Sequence, residues 1–329
     1  MIKSIAFFET KPWEEEYLRK RLKGRQLYFS SKPFSSAFAM KSDCISVFIY
    51  SKLDSAAIKK LPKLSLVATR STGFDHVDVE ACRKMKIPVC NVPYYGENTV
   101  AEHTFALILS ISRNVHKSYM RTLRDDFSID GLKGFDLKDK TIGIMGGGHI
   151  GMHVARIALG FGMKVIVCDH NPQYFLAEVM NFSYVPFEEL LRNSDIISLH
   201  VPHTKQTHHL INRKSLKMMK KGAILINTSR GGIVDTDALL EALENKTLSG
   251  TGLDVIEGEE LIKDEHELLG NTGNPEKFKQ VVRDHRIFRM ENVVFTPHNA
   301  FNSSEALQRV LDATIENILN EGKCNNVWQ

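Results

Sequence analysis

Thr141-Ile142-Gly143-Ile144-Met145-Gly146-Gly147-Gly148-His149-Ile150-Gly151 is the stretch that decides how this chain is read. A short apolar strand runs into a Gly-x-Gly-x-x-Gly turn, and the turn opens a helix predicted over residues 152–160. A second apolar run, Lys164-Val165-Ile166-Val167-Cys168, follows and ends on Asp169. Strand, glycine turn, helix, strand and terminal acid in this register form a dinucleotide-binding fingerprint. Gly146 permits the tight turn, Gly148 lets the backbone approach a pyrophosphate, and Gly151 lets the helix pack close to the strand. The helix start offers N–H groups and a positive dipole end to the phosphates. Asp169, 23 residues past Gly146, is placed to accept hydrogen bonds from a ribose diol. Its carboxylate would repel a 2′-phosphate, which favours NAD over NADP.

About 140 residues precede this motif, so another unit is built first. A length of 329 residues suits two domains of ordinary size. A hydrophobic content of 43% with 25% charged residues belongs to a globular chain. The net charge of +4 is evenly spread, and Lys217, Lys220 and Lys221 read as a solvated helix end. Neither nucleic acid nor membrane is therefore expected as a partner. The five cysteines are scattered without a CxxC pair, which points to free thiols in a reducing compartment, and no metal is expected. The chain enters a strand directly at its start, with no charged segment ahead of a long apolar core, and its longest apolar helical run, 105–111, is too short to span a bilayer. A cytoplasmic location is the expectation.

Working outward, residues 1–100 alternate strands (5–8, 45–49, 66–69, 89–91) with helices near 13–21, 55–60 and 79–84. Nearly continuous apolar strands in such alternation predict a parallel sheet covered on both faces. One long helical segment follows over 99–123, apolar on much of its surface, which suits a core helix or a subunit interface. After 141–145, strands read at 165–168, 196–200, 223–227, 252–255 and 293–296, giving the six parallel strands of a full dinucleotide domain. A final helix over 303–320 carries Ala306, Leu307, Val310, Leu311, Ile315 and Ile318 on one face and is placed to return to the first domain. The predicted fold is α/β: two Rossmann-like or flavodoxin-like parallel-sheet domains with a cleft between them. Residues 1–100 plus 299–329 form a discontinuous substrate domain and 101–298 the NAD-binding domain.

A nicotinamide enzyme acting on an alcohol needs a base, a group that poises the base, and a cation that fixes the substrate. In open α/β sheets these should lie just past the C-terminal ends of strands. Arg230 follows a strand in Asn227-Thr228-Ser229-Arg230-Gly231-Gly232, where a guanidinium can fork a carboxylate and the glycine pair keeps the approach open. His298 follows Val293-Val294-Phe295-Thr296-Pro297, and histidine is the usual proton acceptor near neutral pH. His103, His200, His203, His208 and His209 are weaker candidates among the 13 histidines. Glu259 follows Leu253-Asp254-Val255-Ile256-Glu257-Gly258 and could orient the imidazole, although Glu257 and Glu260 leave the choice of carboxylate open on chemistry alone.

Gly-Gly-Gly-His-Ile-Gly, Asn-Thr-Ser-Arg-Gly-Gly, Gly-Leu-Asp-Val-Ile-Glu-Gly-Glu and Thr-Pro-His-Asn-Ala-Phe stand in the order and spacing of the D-isomer-specific 2-hydroxyacid dehydrogenases, which this sequence resembles. Arg70 to Asp78, Asn91-Val92-Pro93-Tyr94-Tyr95 and Ala101-Glu102-His103 extend the resemblance over nearly the whole chain. Phe-Phe-Glu-Thr-Lys-Pro near the start, Ser46-Val47-Phe48-Ile49-Tyr50 and the length are similar to the D-lactate branch. The resemblance implies that Arg230 binds the substrate carboxylate, that His298 is the acid/base and that Glu259 is its partner. It implies a cofactor set of Gly146, Gly148, His149, Ile150, Gly151, Asp169, Val201, Pro202, Thr228, Ser229 and Asp254, the last near the nicotinamide carboxamide. Gly73, Tyr95, Arg230 and Phe301 would face the substrate, with Phe301 as a wall selecting a small side chain. Much of the wider family has Pro after the catalytic Glu, where this chain has Glu260, and 39 residues separate Glu259 from His298. Both features resemble the lactate branch, and they leave the fold of 261–290 open. The expected reaction is interconversion of D-lactate and pyruvate with NAD by a homodimer built around 99–123. The alternatives are a dehydrogenase for larger substrates such as hydroxyisocaproate, and an NAD-switched corepressor.

Overall fold

Alternation along β1 (Ser4–Phe8) sends Ile5 and Phe7 into one apolar core and Ala6 and Phe8 into another. Successive strand side chains point to opposite faces, so a strand buried on all five residues must be covered on both sides. The computed structural model of the chain describes residues 2–259, 275–323 and 325–328. It divides into two compact units, Met1–Tyr95 with Asn302–Gln329, and Gly96–Phe301.

In the first unit β1 pairs with β2 (Gln26–Ser30) and β3 (Cys44–Val47), and β4 (Leu66–Thr69) and β5 (Val89–Cys90) complete a sheet of order β2-β1-β3-β4-β5. Every pairing is parallel. The helix Ser304–Leu319 belongs to this unit, and its Leu311, Ile315 and Ile318 join Ile5, Phe7 and Leu66 in one core. Ser303 caps it by accepting from Ala306 N–H. Sequence reading passes over β2 because this edge strand is only half-buried and lacks a continuous apolar run.

The second unit holds β6 (Thr141–Met145), β7 (Lys164–Cys168), β8 (Ser183–Tyr184), β9 (Ile196–Leu199), β10 (Ala223–Asn227), β11 (Leu248–Leu253) and β12 (Val293–Phe295). They form a seven-stranded sheet of order β12-β11-β10-β9-β6-β7-β8, again parallel throughout. The chain reverses direction across the sheet between β6 and β9, and this switch point is where open α/β sheets bind ligands. The sheet has one strand more than the six expected, because the two-residue edge strand β8 is too short to give a pattern. The helix expected over 99–123 is two helices, Glu97–Ser112 and Val115–Thr122. Asn114 between them adopts a left-handed conformation (φ 52°), and Phe135 N–H takes the Ser112 carbonyl at 2.9 Å. Asparagine visits that region more readily than most residues, and a carbonyl bonded elsewhere cannot continue a helix. Glu260 and residues 261–274 lie outside the described residues; a helix, Pro275–Phe288, follows them.

Candidate active site

At the switch point the β6 turn is built from backbone. Gly146 stands at φ +97°, and a Cβ there would sit 2.5 Å from the His200 carbonyl oxygen, so neither the conformation nor the space admits a side chain. A Cβ on Gly151 would meet the Gly146 carbonyl oxygen at 2.0 Å, which is why the helix His149–Gly160 can pack onto this turn. Gly148 differs from both: its backbone is extended and a Cβ would meet no atom within 4 Å. Nothing inside the protein requires glycine there, whereas a ligand lying on the turn would. Gly148 is also the N-cap of that helix and has no side-chain cap bond, so the helix start with His149 and Ile150 is presented as backbone. Asp169 accepts from Gly147 N–H at 2.6 Å and from Asn171 N–H at 2.8 Å, which fixes the carboxylate beside the turn. Val201, followed by Pro202, stands behind Gly146, its Cγ1 3.0 Å from that residue's notional Cβ. This cradle of N–H groups and one fixed acid has the chemistry to hold a dinucleotide.

His200 lies half-buried beneath the turn, with Nε2 2.7 Å from Ser198 Oγ. Burial alone drives its pKa down to about 3, so it stays neutral and acts as packing.

The adjacent strands β10, β11 and β12 end side by side and deliver the other candidates. The Asn227–Arg230 turn is pinned internally: Ser229 N–H donates to Asn227 Oδ1 at 3.0 Å and Asn227 Nδ2 to the Arg230 carbonyl at 3.0 Å. Ser229 Oγ also donates to the Leu199 carbonyl at 2.6 Å, and Thr228 Oγ1 lies 3.1 Å from Thr104 Oγ1. Arg230 is part-buried, with Nη1 donating to the Ser229 carbonyl at 2.8 Å. The glycine pair after it has a packing reason that the sequence did not disclose. A Cβ on Gly231 would lie 2.2 Å from the Ile256 carbonyl, and one on Gly232 2.8 Å from the His203 ring.

His298 Nδ1 lies 2.6 Å from Glu259 Oε1, both side chains about a quarter exposed. Of the two described carboxylates, Glu259 meets His298 and Glu257 meets His209 at 2.7 Å. His298 is in the left-handed region (φ 52°), a strained conformation for this residue type. Asp254 holds it there. The Asp254 carbonyl accepts from His298 N–H at 2.8 Å, and its carboxylate accepts from Asn299 N–H at 3.0 Å, Ala300 N–H at 2.8 Å and Thr296 Oγ1. His103 Nε2 lies 3.0 Å from Thr296 Oγ1 and 3.4 Å from Asp254 Oδ1. Burial opposes the Asp254 charge, but the bonds from His103, Thr296, Ala300 and Asn299 outweigh it and keep the pKa below the usual carboxylate value. Within the protein the Asp254 carboxylate is bonded to the 296–300 turn, beside the His298 that the same turn carries. Phe301 closes this unit, while Gly73 and Tyr95 lie in the other, where Ser71 Oγ donates to the Gly73 carbonyl at 2.6 Å and Arg309 Nε to the Tyr95 carbonyl at 2.7 Å.

The NAD-binding domain of the D-isomer specific 2-hydroxyacid dehydrogenases matches residues 105–300. The chain is 38% identical to 2-hydroxyacid dehydrogenase homolog 1 of Schizosaccharomyces pombe, covering 98% of this chain and 97% of that one. It is 32% identical to D-lactate dehydrogenase of Escherichia coli over 96% of each. The crystal structure of D-lactate dehydrogenase from Aquifex aeolicus complexed with NAD and lactic acid superposes with a TM-score of 0.87, at 35% identity and 99% coverage of both chains. Together with the glycine cradle and the parallel sheets, these matches show that the chain belongs to the D-isomer specific 2-hydroxyacid dehydrogenases, oxidoreductases that bind NAD.

Proposed function

We propose that this enzyme interconverts D-lactate and pyruvate with NAD. The observation that carries the proposal is the 2.6 Å contact between His298 Nδ1 and Glu259 Oε1 on a histidine held in a strained backbone conformation. NAD held on the glycine turn would supply the hydride chemistry at the substrate carbon. With Nδ1 occupied by Glu259, the tautomer is set and Nε2 is left to exchange the proton with the substrate oxygen. In reduction His298 enters protonated and gives that proton to the developing alkoxide; in oxidation it takes the proton back. Glu259 orients the ring and stabilises the imidazolium. Arg230 forks the substrate carboxylate, and its positive charge helps polarise the ketone.

Gly146, Gly148, His149, Ile150 and Gly151 carry the pyrophosphate, Asp169 takes the ribose diol, and Val201, Pro202, Thr228 and Ser229 line the rest of the cofactor. Asp254 acts behind His298 and beside the nicotinamide end. Gly73 and Tyr95 supply substrate contacts, Phe301 limits the side chain, and residues 1–95 with 302–329 serve as the substrate domain. Pyruvate carries only a methyl side chain, so rates with NADH across keto acids of increasing length test the reading directly. Pyruvate should give the highest kcat/KM; a maximum at a branched six-carbon acid would reassign the enzyme to larger substrates.

We also propose a homodimer. Val115, Tyr119, Met120, Leu123, Phe127 and Ile129 are about half to four-fifths exposed along one segment, more apolar surface than a lone subunit usually leaves open. No helix among the described residues is long and apolar enough to cross a membrane.

A further inference from the structure

We infer that the turn after β9 carries a transition-metal site, built from His208, His209 and Glu257 and distinct from the His298–Glu259 pair. Among the described residues this is the group of His, Cys, Asp and Glu side chains able to share one ion, with ligand atoms all within 4.8 Å of one another. Zinc accepts two imidazoles and a carboxylate and keeps a further position for water. The donors lie slightly too close to one another for a bare arrangement: His209 Nε2 and Glu257 Oε1 are 2.7 Å apart, sharing a proton where an ion would take its place.

The surroundings fit a ligand set held from behind. His203 Nε2 lies 3.1 Å from His208 Nδ1, so one ring nitrogen of His208 is engaged by its neighbour. A hydrogen bond on the outer nitrogen is the usual support for a metal-binding imidazole. The His208 and His209 rings stack with centroids 4.0 Å apart. Their backbone is set by one helical turn, in which His208 N–H donates to the Thr204 carbonyl at 2.9 Å and Thr207 Oγ1 to the Pro202 carbonyl at 2.5 Å. His209 N–H is anchored on the Gly232 carbonyl at 3.0 Å, and the absent side chain of Gly232 leaves room for the His203 ring. On the far side Gln280 Nε2 donates to the Glu257 carbonyl at 2.6 Å. An ion here would tie the turn after β9 to the segment that leads into Glu259, two residues beyond Glu257.

The site is tested on the tag-free, EDTA-treated full-length protein by calorimetric titration with zinc chloride, with cobalt(II) as a coloured substitute. One ion per chain should bind, with the strong visible absorption of four-coordinate cobalt. His208→Gln and Glu257→Gln should each weaken binding at least tenfold, while His298→Gln leaves it unchanged. His208 is exposed, so its replacement leaves the fold in place, and unaltered NADH binding checks this. Zinc affinity that survives His208→Gln, or that falls with His298→Gln instead, would overturn the assignment, as would binding that never reaches one equivalent.

Discussion

Two turns in the second unit shape its candidate site, and they do it by opposite means. The turn after β6 removes side chains: Gly146 and Gly151 leave no space for a Cβ, and Gly148 leaves space that the protein does not fill. The turn after β12 keeps a large side chain, His298, in a conformation that suits glycine better, and holds it with the buried Asp254 carboxylate. The first solution is local and is written in residue types. The second is non-local, because Asp254 precedes its hydrogen-bond partners by 42 to 46 residues. A binding surface can be made from absent atoms, whereas a proton-transfer group must be present and therefore has to be restrained.

The histidine turn should break most sharply. His298→Gln is expected to lower kcat by about 10²–10⁴-fold, the range for removal of a general acid/base, while NADH still binds. Undiminished turnover in that variant sinks the assignment. Asp254→Asn tests the restraint in the same assay. An amide cannot accept from both Ala300 and the Asn299–Thr296 pair, and a lost buried acceptor costs about 1–3 kcal/mol, so kcat should fall about 10–100-fold with little change in NADH affinity. If the NADH Kd rises instead and kcat holds, Asp254 serves the cofactor directly.

The glycine turn sharpens the contrast from the other side. Gly151→Ala forces the helix off the Gly146 carbonyl, an overpacking that costs about 1–3 kcal/mol of stability. Gly148→Ala should leave the melting temperature unchanged and weaken only NADH binding. Equal behaviour of the two variants in thermal melts would erase the distinction between a glycine needed by the fold and one needed by a ligand.

The smallest effect is absent at neutral pH. His200, folded beneath Gly146, has a pKa lowered to about 3, while the unfolded chain regains an ordinary value near ~6.5. Its contribution to stability is complete above that value and declines as pH falls toward about 3, because only the unfolded chain takes the proton. Asp284 works in the opposite sense: burial raises its carboxyl to about 6, so between an ordinary carboxylate value and about 6 the folded state holds the extra proton. The difference between the parent and His200→Phe isolates the histidine. The parent should lose melting temperature faster on acidification from pH 6.5, and parallel curves would show that His200 titrates normally.

The same contrast explains what could be read from the sequence. Continuous apolar runs such as residues 223–226 and a glycine pattern on a strand end report their own environment, so the two parallel sheets and the NAD-binding family were legible. Half-buried edges were not: β2 and β8 draw their definition from the strands beside them. The break at Asn114 depends on Phe135 claiming the Ser112 carbonyl, a contact with no local trace. At the candidate site, Arg230, Glu259 and His298 were named by motif. The partition that pairs Glu259 with His298 and Glu257 with His209 needed three dimensions. So did the recruitment of His103 and Thr296 around Asp254, since His103 and Thr296 are 193 positions apart.

The helix Ser304–Leu319 has a consequence for how this molecule is born. One face of the first sheet, with Ile5, Phe7 and Leu66, is covered by Leu311, Ile315 and Ile318. Those residues leave the ribosome roughly 250 to 300 positions after the strands they cover. At about 5–20 residues per second, translation leaves that face waiting for tens of seconds, while the intervening unit can finish its own sheet. The opening strands therefore depend for their completion on the last helix, and the nascent chain must be kept from sticking to its neighbours during that interval.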